Sequence, residues 1–306
     1  MKRAFIFPGQ GAQYVGMGKD FFDSFLIAKE TFQEADDLLG QNLSKIIFEG
    51  PLDLLTATKT AQIAIFVTSM AILRTVQKQL PSFTPDVCAG LSLGEYTALS
   101  ASKRLSFADT LLLVKERARL MNEACEKIPG TMAAVLGLDA FGIEEAVKGL
   151  EGVWVANFNA PGQTVISGTK EGIEKAALIL KEKGAKRVIP LTVHGAFHSG
   201  LMQSAQDLLA PFIKNTRFQE SSIAFVMNVP GGFVKTNEEI QSHLICQVTQ
   251  SVRWEQGIEA MKKAGVTHFV EIGCGKTLTG LNKKMDVSSM SSIEKITDLE
   301  VAYATT

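Results

Sequence analysis

Val87-Cys88-Ala89-Gly90-Leu91-Ser92-Leu93-Gly94-Glu95-Tyr96-Thr97-Ala98-Leu99 is the stretch from which the fold is read. Short apolar residues lead into Gly-x-Ser-x-Gly, and a run that favours helix follows. Strand, tight turn and helix in that order form the context of a nucleophile elbow. The glycines let the backbone turn sharply where Cβ atoms would collide. Ser92 is then presented near the amino end of the next helix, where backbone N–H groups favour developing negative charge. The five-residue pattern is short, so its meaning depends on the rest of the chain.

Working outward, residues 85–89 read as the strand before the elbow, and 61–80 as a helix. The run Ala61-Gln62-Ile63-Ala64-Ile65-Phe66-Val67 is apolar on most faces, which predicts a helix packed deep against a sheet. Residues 4–7 form a first buried-type strand, closed by Pro8-Gly9-Gln10-Gly11-Ala12-Gln13. A dinucleotide fingerprint would need glycine at position 14, which is Tyr14, so a turn bringing backbone amides near a substrate fits better. The region 19–80 reads as helical, with 52–56 and 61–80 as successive pieces. Residues 107–126 form a long amphipathic helix carrying Arg117 and Arg119.

From Thr131 the texture changes. Strand, helix, strand, strand, helix and strand are predicted over 132–137, 141–150, 153–158, 164–167, 170–183 and 186–192, the ferredoxin-like order. Residues 130–194 are therefore expected to be a ferredoxin-like α+β subdomain inserted into a larger α/β domain of residues 1–129 and 195–306. That domain resumes with helices over 200–215, 238–248 and 257–264, strands over 223–228 and 267–272, and a final helix after Gly273. The Ser-rich end, 287–306, reads as loosely attached.

A chain of 306 residues with net charge −1 can bury a sizeable core and has no bulk attraction for nucleic acid or membrane. An acidic partner would need a local basic patch. The four cysteines, Cys88, Cys125, Cys246 and Cys274, are scattered with no C-x-x-C pair, which points to reduced thiols in the cytoplasm. The opening apolar run is too short for a signal peptide, and no segment has transmembrane length.

A serine nucleophile needs a base. His268 sits in a strand pattern and His243 on an amphipathic helix, both structural positions. His194 and His198 lie in a loop among small residues. His198, beside the next helix start, takes the base role, with His194 as the alternative. Their spacing matches a zinc helix, but Gly195 replaces the general-base glutamate and the loop is a poor helix, so no metal is expected. Gly275-Lys276-Thr277 fails as a phosphate loop because Val270 stands where its first glycine belongs. Arg117 is either a solvated or ion-paired arginine or, if it faces the cleft, a planar fork for a substrate carboxylate.

These residues resemble the malonyl-coenzyme A:acyl carrier protein transacylases of fatty acid synthesis. The resemblance runs from Ile6 to about Met285. It rests on Phe7-Pro8-Gly9-Gln10-Gly11-Ala12-Gln13, Gly90-Leu91-Ser92-Leu93-Gly94-Glu95-Tyr96, Arg117, Asn157-Phe158-Asn159-Ala160-Pro161-Gly162-Gln163, Gly195-Ala196-Phe197-His198-Ser199 and Glu271-Ile272-Gly273-Cys274-Gly275. It implies a larger α/β-hydrolase-like domain with a parallel sheet. It implies Ser92 as the acylated nucleophile, His198 as its base and Arg117 as the anchor of the malonyl carboxylate. Gln10 and Leu93 would supply the backbone N–H groups of the oxyanion hole. The carbonyls of Asn228 and Gln247 would orient the histidine in place of an aspartate. The substrates would be malonyl-CoA and phosphopantetheinylated acyl carrier protein, with no cofactor and a monomeric enzyme. Phe197 would narrow the space beside the α-carbon. Two positions depart from the pattern: Leu91, where many members have His, and Ser251, where Pro is common. Lys186, Arg187, Lys283 and Lys284 are candidates for a carrier-docking rim.

Overall fold

The computed structural model describes residues 2–300. Along the chain run β1 (Lys2–Phe7) and the helices α1 (Lys19–Ser24), α2 (Leu26–Leu39), α3 (Leu43–Glu49), α4 (Leu52–Thr56) and α5 (Thr58–Gln79). Next come β2 (Val87–Gly90), α6 (Gly94–Ala101) and α7 (Phe107–Lys127), then β3 (Thr131–Leu136), α8 (Ala140–Val147), β4 (Val153–Ala160), β5 (Gln163–Gly168), α9 (Lys170–Glu182) and β6 (Arg187–Pro190). The remainder is α10 (Gln203–Asn215), β7 (Ala224–Met227), β8 (Gly232–Val234), α11 (Asn237–Cys246), β9 (Val252–Arg253), α12 (Trp254–Lys263), β10 (Val266–Ile272), α13 (Thr277–Asn282) and β11 (Met290–Ile293).

Two compact units divide the chain. One holds Met1–Ala118, Thr216–Val226 and Met261–Thr306; the other holds Arg119–Asn215 and Met227–Ala260. In the first, five parallel strands stand in the order β11-β10-β1-β2-β7. A parallel sheet covered on both faces needs strands that are apolar throughout. Ala4, Phe5, Ile6 and Phe7 meet that requirement and are fully buried. α5 is buried on nearly every side along residues 61–73, as its all-round apolar run requires.

In the second unit the six elements expected from 131 to 190 are present in the expected order. Their strands form an antiparallel sheet in the order β6-β3-β5-β4, and β9 adds to its far edge parallel to β4. Ala133, Val135, Ile166, Ile143, Ile173 and Leu180 make the core under α8 and α9. Each large aliphatic side chain buried there contributes about 1.5–3 kcal/mol. Both helices start on side-chain caps: Asp139 accepts from Gly142 N–H and Thr169 from Gly172 N–H.

One expectation is corrected here. The end of the chain is not loosely attached through residue 293, because β11 is a hydrogen-bonded strand parallel to β10. Met-Ser-Ser-Ile is too short and too polar to show as a strand, and its pairing partner fixes it. Residues 301–306 of that stretch lie outside the described residues. The short strands β8 and β9 were likewise not foreseen.

Candidate active site

Ser92 stands two residues beyond the end of β2, in the left-handed region at φ 53°. A non-glycine residue held there costs about 1–2 kcal/mol, which the surrounding packing must offset. The flanking glycines serve close approach rather than a positive φ. A Cβ on Gly90 would lie 1.9 Å from the backbone carbon of Gly94, and one on Gly94 would lie 2.1 Å from the Phe7 carbonyl oxygen. The start of α6 is thereby pressed onto the ends of β1 and β2.

The loop after β1 meets the elbow from the other side. Leu91 N–H donates to Phe7 O at 3.1 Å. A Cβ on Gly9 would lie 2.4 Å from the Leu91 oxygen, so only glycine admits this approach. The Gln10 side chain is tied down by Nε2 donating to Thr58 Oγ1 at 3.3 Å. Among the described residues, the backbone N–H groups of Gln10 and Leu93 meet no acceptor. Two backbone donors of this kind, on the loop after β1 and at the start of α6, are suited to an anionic oxygen.

Arg117, on α7, is 1% exposed, which excludes the solvated reading of this arginine. Arg119, two positions on, is the solvated one and pairs with Glu123 on its own helix. Arg117 Nη2 donates to Ser92 Oγ at 3.1 Å, and Nη1 donates to Gln62 Oε1 on α5. Its guanidinium carbon lies 5.4 Å from the centre of the Tyr96 ring. Burial weakens its hold on the proton, while Tyr96 and the buried carboxylate of Glu95 strengthen it. Arginine starts from so high a pKa that the cation persists. Burial also pushes the Tyr96 phenol up to about 12, against the pull of Arg117.

Sequence reasoning missed Gln62. Its signal was a single amide inside the buried apolar run 61–67, a polar group that must find a partner.

In the second unit, His198 sits in the loop before α10, 3% exposed and in the left-handed region at φ 56°. Its Nδ1 lies 2.7 Å from the carbonyl oxygen of Gln247. A carbonyl only accepts, so Nδ1 carries a proton, and in the neutral ring that makes Nε2 the acceptor. Asn228 Oδ1 accepts from Gln247 Nε2 at 3.5 Å, and the Asn228 carbonyl accepts from Arg253 N–H. Small residues keep the loop tight: a Cβ on Gly195 would lie 2.2 Å from Cys125 Sγ, and Ser199 Oγ donates to Ala196 O. Phe197 is buried, whereas His194 is exposed. Ser251, the unusual residue before Val252, donates to Val155 O. His268 in β10 bonds Ser289 and Ser291, as a structural histidine does.

The first unit thus gathers Ser92, Leu93, Gln10 and Arg117, and the second gathers His198, Gln247 and Asn228. Among the described residues no group of three or more His, Cys, Asp or Glu could hold a metal ion, and no helix is long and apolar enough to cross a membrane.

Comparison with known proteins adds an independent finding. The profile of a family described as "Acyl transferase domain" matches residues 4–297. A malonyl CoA-acyl carrier protein transacylase of Bacillus subtilis is 44% identical over 289 residues, covering 93% of this chain and 90% of that protein. The protein of that name in Escherichia coli K12 is 41% identical, covering 92% of each. The solved Streptococcus pneumoniae MCAT structure matches with a TM-score of 0.94 at 40% identity, over 100% of both chains. A malonyl-transacylase solved in complex with a type II PKS acyl-carrier protein matches with a TM-score of 0.95 at 36% identity, again over 100% of both chains.

Proposed function

The chain belongs to the acyl transferase domain family, and on that premise we propose that it moves the malonyl group of malonyl-CoA to the phosphopantetheine thiol of acyl carrier protein, supplying fatty acid synthesis. It is an acyltransferase, and the transfer is ping-pong. His198 Nε2 takes the Ser92 proton as Oγ attacks the thioester carbon. The tetrahedral oxyanion is held by the N–H groups of Gln10 and Leu93. Collapse breaks the C–S bond, and the proton on His198 passes to the departing coenzyme A sulfur. The carrier thiol then gives its proton to His198 and attacks the malonyl-serine ester, and the returning proton regenerates Ser92.

The observation that carries this reading is a fully buried cation donating to the nucleophile itself. Arg117 held 3.1 Å from Ser92 Oγ provides a charged fork for an acyl chain that ends in a carboxylate. A general esterase would have no use for it. The bond from His198 Nδ1–H to the Gln247 carbonyl, which leaves Nε2 as the nitrogen to take a proton, supports the base role. Asn228 completes that support through its contact with Gln247, its carbonyl being the second expected to orient the ring. Leu91, in place of a polar imidazole, serves here through the backbone that receives Gly9.

The fold reading belongs to the same proposal. A larger α/β-hydrolase-like domain of 1–129 and 195–306 would carry a ferredoxin-like subdomain of 130–194, and the strand order β6-β3-β5-β4 supports the latter. The enzyme would work as a cytoplasmic monomer, without cofactor or metal, on malonyl-CoA and acyl carrier protein alone. Acylation of wild type and Arg117→Ala by malonyl-CoA and acetyl-CoA tests the assignment. The substitution is expected to depress malonyl transfer and raise the relative use of acetyl. An unchanged preference would contradict it.

A further inference from the structure

The Gln10 amide rides on a loop with little regular structure, so something beneath must hold it. That support comes from the far end of the chain. A Cβ on Gly273 would lie 3.0 Å from the Pro8 ring, and one on Gly275 would lie 3.3 Å from the Ala12 oxygen. The loop after β10 therefore lies directly against the loop after β1. Gly275 N–H in turn donates to Glu294 Oε1 at 2.9 Å, immediately past β11. The ammonium of the adjacent Lys295 stands 5.0 Å over the Tyr14 ring, and Ile296 N–H donates to Asp20 Oδ2 at 3.0 Å. Residues 294–296 thus touch both ends of the assembly that presents Gln10.

We propose that Glu294 is a positioning residue for the Gln10 side of the oxyanion hole, a claim that rests on the acyl-transfer reading above. Its carboxylate fixes Gly275, Gly275 and Gly273 fix Pro8 and Ala12, and these set the height of the Gln10 N–H. Oxyanion donors act when they stand about 2.7–3.1 Å from the developing charge, and small misplacements from that distance are costly. β11 is therefore part of the catalytic support, although it contributes no group to the reaction.

The test compares rapid-mix acylation of wild type, Glu294→Gln and Glu294→Asp by malonyl-CoA, together with hydrogen exchange of the 8–13 loop. Aspartate keeps the charge but is one methylene too short for the Gly275 amide; glutamine keeps the acceptor and loses the charge. Glu294→Asp is expected to slow acylation at saturating malonyl-CoA by about tenfold to a hundredfold. Its half-saturating concentration is expected to stay within about twofold, and exchange in the 8–13 loop to rise. Glu294→Gln is expected to restore both readouts. Wild-type behaviour of Glu294→Asp, a Glu294→Gln as slow as Glu294→Asp, or a loss carried by half-saturation alone would overturn the assignment. A wild type that never forms a malonyl adduct would instead remove the acyl-transfer reading, and this proposal with it.

Discussion

Ser92, Arg117 and Gln62 show how one site uses residues far apart in sequence. The arginine is held by a hydroxyl 25 positions back and an amide 55 back, both within hydrogen-bond reach. A charged hydrogen bond contributes about 1.5–3 kcal/mol, so Arg117→Ala should lower malonyl kcat/KM by roughly 10- to 150-fold. Arg117→Lys should not restore it, because an ammonium cannot reproduce the fork; steady-state kinetics with both substrates checks this. Gln62→Leu strips an acceptor from a buried guanidinium and should cost about 1–3 kcal/mol of stability, measured by denaturant unfolding. Ser92 and His198 stood out as candidates because motifs of small residues surround them. Arg117 was ambiguous from sequence. Its burial does follow a readable rhythm, since Thr110, Leu113, Val114, Ala118 and Met121 fall on the same buried stripe of α7. Gln62, Glu95 and Tyr96 stayed unassigned because their roles depend on contacts between helices.

Among the elements, the elbow is the most tightly specified. Its glycines have backbone where a side chain would go, so Gly94→Ala should cost about 3 kcal/mol or more, or displace Ser92. Thermal unfolding together with adduct formation checks this prediction, and a stable, fully active Gly94→Ala would contradict it. Two strands over from the elbow, Glu271 is fully buried in β10. It accepts from Leu278 N–H through one oxygen and from Thr279 N–H and Oγ1 through the other. Glu271→Gln sets an amide N–H against those donors and should destabilise the protein by about 1–3 kcal/mol in the same assay. Strands with apolar runs, such as β1, β2 and β10, were readable from sequence. β11 was not, because its four residues carry two serines and its place comes from register with β10. The segment that read as loosely attached instead reaches, at residues 294–296, the loop of Gln10.

For the molecule as a whole, a net charge of −1 gives no bulk attraction for an acidic partner, so the proposed docking of acyl carrier protein would fall to local basic surface. Lys283 and Lys284 are both exposed after α13. Reversing them together, Lys283→Glu with Lys284→Glu, should raise the KM for acyl carrier protein several-fold, as rim charges act mainly on encounter. Malonyl-CoA acylation should stay unchanged, and the effect should fade with added salt. The central claim is that a malonyl group passes through Ser92. Its most direct test is the intact mass of wild type and Ser92→Ala after brief mixing with malonyl-CoA, followed by acyl carrier protein. A malonyl adduct on wild type only, discharged onto the carrier, is the predicted result. No adduct, or one lost to water equally fast without the carrier, would contradict it.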